Sequence, residues 1–124
     1  NESNCQELIA AYDLVIDCTD NFQTRYLIND TCAHLSKPLI YGSVSDYKGL
    51  VTLLHSDQNM DLRDIFPDIP DNNTIMGIIP TLPMIIGSIQ ANEALKLITG
   101  TGETLDGKLL SYNALTNEQY ILDL

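Results

Sequence analysis

The chain has 124 residues, 44% of them hydrophobic and 19% charged, which fits one domain with a modest core. Seventeen acidic side chains against six basic ones give a net charge of -11, which repels polyanions and argues against nucleic acid or an anionic membrane as a partner. Cys5, Cys18 and Cys32 are odd in number and widely spaced, so they outline neither a disulfide framework nor a zinc site, and a reducing, cytoplasmic setting is expected.

Cys5 to Ala11 reads as the end of a helix that runs almost directly into Leu14-Val15-Ile16, a short buried parallel strand. The chain is therefore expected to open partway through an α/β unit. The strand stops abruptly at Asp17-Cys18-Thr19-Asp20-Asn21, and Asp20 or Asn21 is a good N-cap for a helix from about Asn21 to Ser36. Lys37-Pro38 ends that helix, because proline cannot continue it and the residue before proline is pushed toward extended geometry. Asn21, Arg25 and Asn29 fall at i, i+4 and i+8, so one helix face is expected to carry a polar stripe out of the carboxyl edge of the sheet.

That edge is where open α/β sheets bind ligands. Carboxylates there can hold a metal ion, and a helix N-terminus beside an arginine can hold phosphate oxygens. Asp17 and Asp20 next to Arg25 thus look like half of a metal-nucleotide site. The competing reading makes Asp20 a helix cap and Arg25 its ion-pair partner.

Leu39-Ile40-Tyr41 is expected to be a second parallel strand, Gly42 to Gly49 a turn-rich connection, and Leu50 to His55 a third strand. Residues 56 to about 81 carry Asp57, Asp61, Asp64, Asp68 and Asp71 without a pattern of their own, which marks a functional loop or a disordered one. The longest apolar stretch, Ile75 to Ile89, is broken by Pro80 and Pro83 and falls short of the roughly 20 residues a spanning helix needs. The polar N-terminus does not read as a secretory signal. Apolar positions from Leu82 to Thr99 predict a core helix closed by Gly100, and Lys108–Asn113 with Glu118–Leu124 predict a terminal β-hairpin. The sum is an α/β fold, a Rossmann-like mixed sheet with flanking helices. His34 and His55 are expected to be structural or on the surface, and Cys18 a small packing residue.

Three segments, Asp17-Cys18-Thr19-Asp20-Asn21 with Arg25-Tyr26-Leu27-Ile28-Asn29, Lys37-Pro38-Leu39, and Gly87-Ser88-Ile89-Gln90-Ala91-Asn92-Glu93-Ala94-Leu95-Lys96, resemble the ThiF/MoeB/HesA family. These are adenylyltransferases related to ubiquitin-activating enzymes, and the resemblance runs in order from about Tyr12 to Leu124. It implies that residues 1–124 are the carboxyl-terminal part of a single adenylation domain. The family's phosphate-binding glycine loop and its other ATP contacts precede this region, so the fragment alone is expected to be inactive. The implied reaction uses ATP and magnesium to adenylate the C-terminal glycine of a ubiquitin-like sulfur carrier ending in Gly-Gly, as in thiamine or molybdopterin biosynthesis. Asp20 matches the family's magnesium-binding, activity-critical aspartate; Asn21 and Arg25 are implied to assist with phosphate or with orienting Asp20, and Asp17 to be structural. Tyr47-Lys48-Gly49 are candidates for lining the passage of the carrier's tail, and a homodimer is implied.

Departures from the family pattern carry their own expectations. Where many relatives place the first of two zinc-binding Cys-x-x-Cys pairs, this chain has Asp61-Leu62-Arg63-Asp64 ahead of Ile65-Phe66-Pro67, so no zinc is expected. Counting back from Gly87 and Gln90, the loop position of a reactive cysteine in some relatives falls at Asn73, which cannot carry sulfur. Two alternatives therefore stand beside the enzyme: a catalytically inactive carrier-docking module, and, from architecture alone, the distal half of a nicotinamide-dependent dehydrogenase.

Overall fold

The computed structural model describes residues 1–68 and 77–124. The short helix α1 (Cys5–Ala10) precedes β1 (Val15–Asp17), and α2 (Phe22–Leu35) then carries the chain across to β2 (Leu39–Ser45), which pairs parallel to β1 with Ile16 opposite Ile40. Asn21 caps α2 by accepting from the Thr24 amide at 2.8 Å, and Ser36 closes it in a left-handed conformation just before Pro38. The remaining strands are antiparallel neighbours in sequence order: β3 (Lys48–Leu54), β4 (Lys108–Asn113) and β5 (Gln119–Asp123). The expected mixed sheet and terminal hairpin are both present. Between β3 and β4 lie a one-turn helix, α3 (Leu62–Ile65), and the long α4 (Thr81–Thr99), whose two prolines sit at its cap and first turn, where a missing amide hydrogen costs least.

Alternation along the central strands sends side chains into two cores. Ile40, Val51 and Leu53 pack under Leu82 and Ile86 of α4 on one face, while Leu39, Tyr41 and Leu54 meet Tyr26 and Cys32 of α2 on the other. Burial pushes the Cys32 thiol up to about 12, which makes it an inert packing group.

One expectation fails here. Gly42 to Gly49 is not a connection but the body of a β-hairpin in which Ser45 pairs with Lys48 across Asp46-Tyr47, with Asp46 taking the left-handed conformation at φ 52°. The two glycines serve helix packing instead of turning the chain. A Cβ on Gly42 would stand 2.3 Å from the Gln90 side chain and one on Gly49 2.2 Å from that of Ile86, so their absence lets α4 lie close on the sheet. The described part of the segment after β3, up to residue 68, has structure of its own: Asp61 and Asp64 form a reciprocal capping box on α3.

Gln90 is tied to two backbone carbonyls, so it cannot simply move aside for a larger residue at 42. Gly42→Ala is expected to destabilise the protein by about 2–4 kcal/mol, read as a lower urea midpoint. An unchanged midpoint would refute this account of the glycine.

Candidate functional site

β1 ends at Asp17, which is buried, and the next three residues line the rim of a pocket. Asp17 Oδ1 accepts from the Thr19 amide at 2.8 Å and from the Thr19 hydroxyl at 2.7 Å, an Asx turn that fixes where the chain leaves the sheet. The Thr19 carbonyl, so placed, accepts from Arg25 Nε at 3.3 Å and Nη2 at 3.0 Å. The guanidinium lies over the rings of Phe22 and Tyr41, 4.9 and 5.7 Å from their centroids, and is only 7% exposed. Its remaining nitrogen, Nη1, has no partner among the described residues.

Asp20 stands beside this arginine and differs from both its neighbours in being uncommitted. Its side chain is exposed, and its one hydrogen-bond contact among the described residues is a 3.4 Å approach of the Asn21 side-chain amide. Asn21, not Asp20, caps α2, and Arg25 forms no ion pair with Asp20 or any other described carboxylate. The reading of Asp20 and Arg25 as a cap and its salt-bridge partner is therefore excluded. Asp20 and Arg25 share the wall of a pocket of about 330 Å³ with Cys18 and Thr19. Its other walls come from Gly42, Ser43 and Val44 of β2 and from Pro83, Ile86, Gly87 and Gln90 of α4.

Three expectations about site residues change. Cys18 is exposed on the pocket wall, because it is the first residue past the buried end of the strand, and is not a packing residue. Asn29 does not extend a polar stripe with Asn21 and Arg25; it is fully buried on the side of α2 that meets the segment after β3. Tyr47 and Lys48 sit at the β2–β3 hairpin tip and line a separate depression with Asn113 and Leu115. Asn73 lies outside the described residues, as does Asp71.

Asn29 instead works as a clamp. Its Oδ1 accepts from the Leu62 amide at 3.1 Å and from His55 Nε2 at 2.8 Å, while its Nδ2 donates to Asp61 at 3.2 Å and Asp30 at 3.1 Å. Since an amide N–H can only donate, the atom facing Leu62 is the oxygen, and His55 must carry its proton on Nε2. Arg63 pairs with Asp30 and stacks on Tyr26, whose hydroxyl donates to the Phe66 carbonyl. Asp61 and Asp64, at the positions weighed for zinc, are engaged in this network and in the α3 capping box.

Sequence reading missed Gln90 as a structural bridge and Ser43, Val44 and Gly87 as pocket residues. A polar Gln90 in an otherwise apolar helix face was the available signal for the first; the other three depend on how α4 crosses the sheet.

A mixed α/β domain with a mainly apolar pocket, edged by Asp20 and Arg25, at the carboxyl end of its parallel strand pair is the class these features define. The ThiF family model matches residues 1–123, and the chain belongs to that family. It is 41% identical over 120 residues to the SAMP-activating enzyme E1 of Haloferax volcanii, covering 93% of this chain and 44% of that protein. It is 39% identical over 122 residues to the sulfur carrier protein adenylyltransferase of Thermus thermophilus, covering 90% of this chain and 45% of that one. The chain thus spans less than half the length of these curated relatives. In fold it matches a crystal structure of E. coli MccB with ATP, at a TM-score of 0.70 and 12% identity over 99% of this chain and 40% of that one. No helix among the described residues is long and apolar enough to cross a membrane.

Burial lowers the pKa of His55 from its ordinary value of 6.5, an effect only partly countered by Asp61. The unfolded chain therefore takes up the proton first as pH falls, so the stability His55 contributes is present above about pH 6.5 and lost below it. Thermal melts from about pH 7.5 to 5.5 should show a decline that is shallower in His55→Gln. Parallel declines in the two proteins would count against the clamp.

Proposed function

We propose that residues 1–124 are the carboxyl-terminal part of an ATP-dependent adenylyltransferase domain that activates the C-terminal glycine of a ubiquitin-like sulfur carrier. The single observation that carries this reading is the free Asp20 carboxylate beside the stacked, half-satisfied Arg25 on one pocket wall. Relatives with adenylyltransferase names at 39% and 40% identity support the reaction class.

In this reaction a carboxylate oxygen of the carrier attacks the α-phosphorus of ATP, a C–O–P linkage forms, and the bond to the β-phosphate oxygen breaks to release pyrophosphate. Negative charge is crowded at the α-phosphorus, so the protein's task is orientation and neutralisation. Arg25 is held from behind by Thr19 and by two rings, so it offers Nη1 to an oxyanion without reorganising. Magnesium carried by the ATP phosphates would be held by Asp20, whose exposed oxygens are hard donors of the kind that ion takes and whose one hydrogen-bond contact among the described residues is with the neutral Asn21 amide. Asn21 is committed to its cap, so its part is to fix the backbone that presents Asp20.

The remaining ATP contacts belong to the upstream half implied by the relatives' greater length. β1 is an edge strand with Ile16 40% exposed, which suits further strands adding beside it. Met84, Leu95 and Ile98 on the outer face of α4 are 60–72% exposed and support the expected homodimer.

The test is ATP–pyrophosphate exchange by the full-length protein with carriers ending in Gly-Gly. Asp20→Asn should lower exchange about a hundredfold or more with no change in Tm, because the side chain is exposed and unpaired. Carrier binding without exchange in the wild type would establish the docking-module alternative instead.

A further inference from the structure

Two glycines face the pocket, and the fold explains only one of them. Gly42 is required because Gln90 fills the space its side chain would need. Gly87 lies well inside α4, where glycine weakens a helix relative to alanine. Its backbone is not left-handed, and among the described residues no atom lies within 4 Å of where its Cβ would stand. An alanine would fit and would strengthen the helix. Neither packing nor conformation accounts for the glycine, but the space above it does, since that space is the pocket shared with Asp20 and Arg25.

We propose that Gly87 is a specificity-determining residue, whose bare Cα lets an extended carboxyl-terminal tail without side chains pass against α4 to reach Asp20 and Arg25. The inference rests on the adenylyltransferase reading and deepens it. Glycine is the residue used where a ligand's main chain approaches a backbone closely. The occupant's chemistry follows from the walls: Val44, Pro83 and Ile86 give an apolar flank suited to an uncharged chain, and Arg25 supplies the cation for a terminal carboxylate. A methyl group at 87 would stand in that path, displacing the tail while leaving the nucleotide's contacts alone.

The two consequences of substitution have opposite signs, which makes the test sharp. Gly87→Ala and Gly87→Leu in the full-length protein should raise the KM for a Gly-Gly-ended sulfur carrier about tenfold or more, leave the KM for ATP unchanged, and leave Tm equal or higher. A carrier KM in Gly87→Leu equal to that of the wild type would overturn the proposal. So would a lower Tm in Gly87→Ala, which would make the glycine structural, or a raised KM for ATP, which would assign the space to nucleotide. Absence of exchange in the wild type with every carrier defeats the adenylyltransferase reading itself, whereas normal exchange in the wild type and both variants defeats only the role of Gly87.

Discussion

A buried side-chain amide holds the working end of this domain together. Gln90 reaches from α4 to donate to the Asp17 carbonyl at 2.8 Å and the Ile40 carbonyl at 3.3 Å, so one group touches both members of the parallel pair. A buried carbonyl left without a donor costs about 1–3 kcal/mol, and Asp17 is the last residue of its strand, beyond which the ladder offers none. Gln90 supplies that donor and in doing so fixes α4 against the strand ends. The pocket between them has a defined width only because of this bridge, and the bridge is possible only because residue 42 has no side chain.

From the same junction follows a division of labour among polar groups that look alike in sequence. Asp17, Asp20 and Asn21 all fall within five residues, yet the first is spent on the Asx turn that positions Thr19 and the third on the cap of α2. Asp17 keeps a second oxygen, Oδ2, without a hydrogen-bond partner, but it is buried, so among the three it is Asp20 that presents exposed oxygens to the pocket. Thr19, held by Asp17, in turn holds Arg25, so the buried carboxylate acts on the site at one remove through a backbone carbonyl. A cation buried by stacking on Phe22 and Tyr41, with its carbonyl partner neutral, keeps its charge available for an anionic ligand in a way that a salt-bridged arginine would not.

Much of this was legible in the sequence, and what was not shares one cause. Strand β1, both long helices, the terminal hairpin and the placing of Asp20 and Arg25 at one sheet edge follow from local periodicity, caps and proline stops, all of which act within a few residues. Gly42 and Gly49 were read as turn signals because glycine's usual local meaning is a turn; their actual cause is a helix some 40 residues away that needs their missing side chains. Asn29 was placed on the ligand-facing stripe by counting i+8 along α2, but at 3.6 residues per turn i+8 lies about 80° round the helix axis from i, and there Asn29 meets the Leu62 amide instead. Gly87 escaped notice because its meaning lies in space that none of the described residues fills.

The clamp centred on Asn29 gives the segment after β3 a bearing on the pocket without contributing an atom to it. Phe66, at the end of that segment, meets the Phe22 ring at 5.3 Å and the Tyr41 ring at 6.3 Å, the same two rings on which Arg25 lies. Asn29, Tyr26 and Asp30 draw the segment onto α2, and Phe66 then packs against the aromatic pair. The buried centre of this network, Asn29 with His55 and the Leu62 amide, has one good arrangement and many poor ones, so it specifies position more than it adds stability. The orientation of Arg25 is in this sense set from two directions, by the Thr19 carbonyl at its edge and by a loop fastened to α2 about one helical turn further along.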